Sequence, residues 1–130
     1  AGRPLLVHGD GEQTGDFTYI DDAVDATMLA AIQPRAEGEV FNVGTGIETS
    51  INELTRLIGE AVARPITVEH VDRRDIDNIR RRVVSIEKAR RMLRWSPQVT
   101  LADGLRRTAA WIDAGVHQAA SAQRDHRDDG

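Results

Sequence analysis

Three groups of residues in this 130-residue chain have types or spacing that could do chemistry. Gly44-Thr45-Gly46 follows the apolar run Val40–Val43, as the glycine loop of a dinucleotide site follows its strand. The third glycine of such a loop would fall at position 49, which is Thr49. A tight turn ahead of the Ser50 helix start accounts for both glycines, so no cofactor-binding residue is assigned. Residues 73–94 hold nine Lys/Arg against three Asp/Glu, a basic patch that could meet an anionic ligand or form a solvated face. The four histidines, His8, His70, His117 and His126, have no metal-ligand spacing, and the chain has no cysteine, so no metal site is expected. No nucleophile elbow is present, and no catalytic residue is assigned.

The elements that must position these groups are short. Leu5-Leu6-Val7 reads as a strand entering the turn Gly9-Asp10-Gly11, and Phe17–Ile20 and Val40–Val43 also have strand-like composition. Asp21 and Asp22 are competent N-caps for a helix on which Val24, Thr27, Met28 and Ala31 recur at helical spacing up to Pro34. Ser50 and Glu53 form a capping box ahead of the face Leu54, Leu57, Ile58 and Ala61. Ile66–Val71 alternates like a strand, and the strands near Val7 and Val68 are expected to pair. Ser85 is placed to cap a helix turning Ile86, Ala89 and Leu93 inward, ended at Trp95-Ser96-Pro97. Thr100 with Asp103 starts a last helix running toward Gly115.

With 40% hydrophobic and 29% charged residues and a net charge of −4, the composition is that of an ordinary globular domain. No apolar run approaches the roughly 20 residues of a membrane span, so no membrane partner is expected and the cytoplasm is the default location. Aromatic residues are only 4% of the chain, and none lies among residues 73–94, which argues against nucleic acid as partner. The chain is read as residues 1–117, a partial domain, and 118–130, a polar tail without periodicity that should be disordered.

The order of the short signatures adds a further reading. Pro4–Thr14, Asp16-Phe17-Thr18-Tyr19-Ile20-Asp21-Asp22, Phe41–Gly46, Thr49–Leu54, Lys88–Trp95 and Gly104–Thr108 closely resemble the C-terminal portion of the NAD-dependent epimerase/dehydratase family, the extended short-chain dehydrogenases acting on nucleotide-sugars. The resemblance implies a mixed α/β fold, the C-terminal substrate-binding lobe with helices and short strands, lacking the cofactor-binding Rossmann half. It leaves the Val40–Val43 strand and the faces of helices 22–32 and 50–62 without the sheet they would pack on.

The same resemblance implies where a ligand would sit. The strand matching Leu6-Val7-His8 lies along a nucleotide base, with main-chain contact at Val7 and a flat surface at His8. The family's Gln-Thr-Arg-Asp arginine, which grips a phosphate, is replaced here: the chain reads Gln13-Thr14-Gly15-Asp16. A second phosphate arginine corresponds to Arg74 or Arg73, followed by Asp77. The family's catalytic Tyr-x-x-x-Lys is absent, since Tyr19 is the only tyrosine and position 23 is Ala23. Tyr19 is expected to pack.

The expected function is therefore the substrate-binding segment of an NAD-dependent nucleotide-sugar epimerase or dehydratase, UDP-sugar 4-epimerase-like and inactive alone. UDP-glucuronate decarboxylase and dTDP-glucose 4,6-dehydratase are further parent activities. A non-catalytic nucleotide-sugar-binding module or gene remnant is the alternative. The implied partner is a UDP- or dTDP-linked sugar; NAD and a homodimeric state belong to the full-length parent.

Overall fold

Leu5-Leu6-Val7 and the run ending at Val71 do pair, side by side and parallel, across most of the chain's first half. The computed structural model describes residues 3–74 and 79–125, with side chains to residue 115. In chain order the elements are β1 (Leu5–His8), β2 (Thr14–Gly15), α1 (Ile20–Ile32), a 3-10 turn at Pro34–Ala36, β3 (Thr49–Ser50), α2 (Ile51–Val62), β4 (Val68–Val71), α3 (Glu87–Leu93) and α4 (Leu101–Asp125). β1 pairs with β4 in the register Leu5 to Val68 and His8 to Val71, and β2 pairs antiparallel with β3. The fold is mixed α/β, helices with short strands, as expected.

The main core forms where α1, the 3-10 turn and α3 meet. Ala26, Ala36, Ile86, Ala89, Leu93 and Trp95 are buried there, with Leu29, Phe41 and Val84 packed on them. Burying side chains such as Ile86 and Leu93 stabilises by about 1.5–3 kcal/mol each. Arg94 adopts a left-handed conformation (φ 54°), which ends α3 and turns Trp95 back onto this core. The Gln33 amide donates to the Leu93 carbonyl at 3.0 Å, tying the ends of α1 and α3 together. On the other side α2 packs along α4 and against β1, where Val7 is buried.

Local capping chemistry held where its partners are near in sequence. Ser50 Oγ accepts the Glu53 N–H at 3.1 Å, and Thr100 Oγ1 accepts the Asp103 N–H at 3.2 Å. Four expectations are corrected. α1 starts at Ile20 with Tyr19 in the cap position, so Asp21 and Asp22 sit in its first turn rather than capping it. Residues 17–19 and 40–43 are not strands, because no neighbouring strand pairs with them among the described residues. Ser85 does not cap α3, whose cap position is Ile86 without a side-chain bond. α4 runs past Gly115 to Asp125, so residues 118–125 are helical rather than an irregular tail.

The apolar stripe of α1 faces outward. Ile20, Val24, Met28 and Ile32 are each about half exposed or more, whereas Ala26 is buried. Among the described residues no helix is long and apolar enough to cross a membrane.

Candidate functional site

The turn after β1 is held from three sides. Gly11 takes a φ of 74°, and a Cβ there would meet Asn52 Oδ1 at 2.0 Å, so only glycine fits. Asn52 donates its amide to the Asp10 carbonyl at 2.9 Å, and its N–H donates to the Gly11 carbonyl at 3.0 Å. The Glu12 N–H donates to Asp10 at 2.9 Å and Arg80 Nη1 to both its oxygens at 2.9 Å, and these bonds, the backbone one first, hold that carboxyl below its usual range. The Gln13 amide donates to the His8 carbonyl at 2.8 Å.

Two histidines latch the open end of the parallel pair. His8 Nδ1 lies 3.1 Å from the Asp72 carbonyl, and His70 Nδ1 lies 2.9 Å from the Gly9 carbonyl. A carbonyl only accepts, so both rings must carry the proton on Nδ1. This fixes the plane of the His8 ring at the end of β1.

Below this latch lies a cleft of about 430 Å³, lined by Leu6, Val7, His8, Thr14, Gly15, Arg74 and Arg82 among others. That volume is in the range of small-molecule sites, roughly 300–1,000 Å³. A smaller cavity of about 170 Å³ adjoins it, lined by His8, Gln13, Arg73 and Arg80. His8, Gln13 and Ile79 line both, with Arg74 lining the cleft and Arg73 the smaller cavity. Val7 is buried, so it reaches the cleft chiefly through its main chain, while exposed Leu6 offers apolar surface. Of the five residues singled out in the sequence, the fold brings Val7, His8 and Arg74 to one cleft with Gly15 and places Arg73 in the cavity beside it. Asp77 lies outside the described residues.

Gly15 is not an empty position. A Cβ built on it would lie 2.9 Å from the Phe17 ring, so any side chain there must displace that ring. The neighbouring Asp16 is occupied by the glycine turn. Its carboxylate accepts the Thr45 N–H at 2.7 Å, the Thr45 hydroxyl at 2.5 Å and the Gly46 N–H at 2.9 Å. Burial pushes Asp16 up, but these bonds and the Val84 N–H more than offset it and hold the carboxyl below its usual range. Gly44 has to be glycine, since a Cβ there would meet Val84 Cγ2 at 2.3 Å and Asp16 Oδ2 at 2.7 Å. The Gly44–Gly46 turn therefore presents its N–H donors to a carboxylate of the chain itself. It does not fit the pyrophosphate of a dinucleotide.

Glu48 holds Thr14, one of the residues lining the cleft. Arg81 grips Glu48 with two parallel bonds at 2.8 and 2.7 Å and the Thr14 hydroxyl donates to it at 2.6 Å, which lowers its pKa to about 2. Tyr19 is a packing residue, though at the start of a helix rather than in a strand: its ring lies against Gly104 and beneath the Arg107 guanidinium, 5.4 Å from the ring centre. Arg82 was not singled out in the sequence, and Leu6 and Gln13 entered only as members of the stretches Leu6-Val7-His8 and Gln13–Asp16. The run Arg80-Arg81-Arg82 is the one signal that pointed toward Arg82, and it did not separate the three arginines.

Comparison with known proteins is consistent in kind. The GDP-mannose 4,6 dehydratase family model matches residues 1–108. A UDP-glucose 4-epimerase of Mycolicibacterium smegmatis is 43% identical over 112 residues, which are 86% of this chain and 35% of the relative. A UDP-N-acetyl-alpha-D-glucosaminuronate decarboxylase of Bacillus cytotoxicus is 35% identical over 85% of this chain and 36% of its own length. Among solved structures, an epimerase of Methanothermobacter thermautotrophicus superposes with a TM-score of 0.85 at 36% identity, over 92% of this chain and 35% of that one. The Thermotoga maritima UDP-glucose 4-epimerase, solved with UDP-glucose, gives 0.79 at 32% identity, over 87% of this chain and 36% of that one. The chain spans about a third of the length of these relatives and, over that span, belongs to the NAD-dependent nucleotide-sugar epimerase/dehydratase family, matching its C-terminal portion.

Proposed function

We propose that this chain is the nucleotide-sugar-binding segment of an NAD-dependent epimerase or dehydratase, with a UDP-sugar 4-epimerase as first reading of the parent. The observation that carries it is the cleft joining the end of β1 to Arg74. The nucleotide base lies along Leu6-Val7-His8, against main-chain groups and the fixed face of His8. Arg74, or Arg73 in the smaller cavity, meets the diphosphate, with Asp77 nearby in sequence. Relatives named as a UDP-glucose 4-epimerase and a UDP-glucuronate 4-epimerase, and a neighbour solved with UDP-glucose, support uridine nucleotides as ligand class.

The parent is read, on family resemblance, as a cytoplasmic homodimer that oxidises a sugar carbon transiently through bound NAD. Residues of this segment bind and orient the nucleotide; they supply neither the dinucleotide loop nor the tyrosine acid/base. The segment alone is expected to show no turnover with NAD and UDP-glucose above a heat-killed control.

The test is calorimetric titration of UDP into the chain and into a variant carrying Arg73→Ala and Arg74→Ala. Saturable binding that the double variant loses supports the site. Unchanged binding in the double variant, or turnover by the segment alone, overturns the assignment.

A further inference from the structure

We infer that Arg82 supplies a further guanidinium to the phosphate groups of the nucleotide in this cleft, in addition to Arg74 or Arg73 and beside the position where Gly15 carries none. The inference rests on the nucleotide reading above and assigns a contact within the same site.

Register places it there. The extended segment from Arg80 runs alongside β2: the Thr14 N–H donates to the Arg80 carbonyl at 3.0 Å, and the Arg82 N–H reaches Thr14 Oγ1 at 3.4 Å. Farther on, the Val84 N–H lies 3.5 Å from Asp16 Oδ2. Arg82 is thereby brought beside Gly15, and both line the same cleft with His8 and Arg74. Gly15 contributes no side chain to this wall, and the Phe17 ring occupies the space into which one would extend.

The state of the surrounding charges points the same way. Arg80 is paired with Asp10, Arg81 with Glu48, Lys88 with Glu39 and Arg90 with Glu87. Arg73 and Arg74 have partners within the chain as well. Among the described residues Arg82 lines the cleft without an ion pair. The carboxylate that lines the cleft and the one bound to Thr14 are already engaged: Asp16 accepts from Thr45 and Gly46, and Glu48 from Arg81 and Thr14. An exposed guanidinium in a cleft whose carboxylates are already hydrogen-bonded is a ready bidentate partner for phosphate oxygens.

The experiment titrates three probes, UDP, inorganic pyrophosphate and uridine, into the full chain and into Arg82→Gln, Arg82→Lys and Arg91→Gln. Arg91 removes the same charge from α3 and lines neither the cleft nor its neighbour. Arg82→Gln should weaken UDP and pyrophosphate by about 10- to 100-fold and leave uridine unchanged. Arg82→Lys, which keeps the charge and loses the fork, should fall between, and Arg91→Gln should match the parent chain. Equal UDP affinity in the chain and in Arg82→Gln overturns the inference and leaves the nucleotide reading standing. Equal weakening of uridine overturns it too, because the effect then does not act through phosphate. A chain that binds no UDP, with or without pyrophosphate, overturns the nucleotide reading and the inference that rests on it.

Discussion

Asp16 and Thr45 are joined twice: one carboxylate oxygen accepts both the Thr45 N–H at 2.7 Å and its hydroxyl at 2.5 Å. Through this pair the loop before α1 and the turn before β3 become one unit, and the floor of the cleft is fixed to it.

Replacing Asp16 with Asn should therefore destabilise the chain by about 1.5–3 kcal/mol, since one acceptor oxygen becomes a donor facing N–H groups. The loss has a defined pH dependence. The folded-state pKa of Asp16 lies below its ordinary value of 3.8, so the stabilisation is fully present above about pH 4 and is lost as pH falls through the folded value. Glu48, lowered from 4.5 to about 2, acts with the same sign between those two values. Urea unfolding at a series of pH values should show the parent and Asp16→Asn well separated at pH 7 and converging in acid. Curves that stay parallel to pH 2 would contradict this.

A second carboxylate holds a longer-range contact. Asp22 is buried, and its two oxygens accept the N–H groups of Gln98 and Val99 at 2.9 and 3.0 Å. Asp22→Ala leaves both donors without a partner inside the protein and should cost about 2–4 kcal/mol. Thermal unfolding is the measurement, and a change within 0.5 kcal/mol of the parent would show that water replaces the carboxylate freely.

The outward stripe of α1 makes a third expectation. Ile20 at 63%, Met28 at 56% and Ile32 at 68% exposure form one apolar face, and such a face promotes association. The isolated chain should associate as its concentration rises, and Val24→Lys with Met28→Glu should suppress this without loss of helix. Sedimentation velocity that finds a monomer at all concentrations would remove the expectation.

What could be read in advance follows the distance over which each feature is decided. Ser50 and Thr100 were legible as caps because the N–H they accept is three residues away. Asp22 looked like another cap for the same reason, but its partners are 76 and 77 residues distant, and no local pattern announces them. Val40–Val43 has the composition of a strand, yet pairing belongs to two segments, and composition speaks for only one. Within the site, Val7, His8 and Arg74 came from a family resemblance, and the fold gathers them at one cleft. Arg82 stayed hidden because only the register of residues 80–84 along β2 separates it from Arg80 and Arg81.

The parallel pairing of β1 with β4 also bears on how the chain is made. Leu5 finds Val68 and His8 finds Val71, so β1, once synthesised, waits for some sixty further residues before its partner exists. α1 and α2 close their bonds locally and can form as they emerge, whereas closing so long a loop is slow. During that interval β1 is a bare edge on a nascent chain, open to pairing with its neighbours on the same message. Yield should therefore depend on translation speed over the stretch encoding Gly9 to Val71 more than on the strength of the finished core.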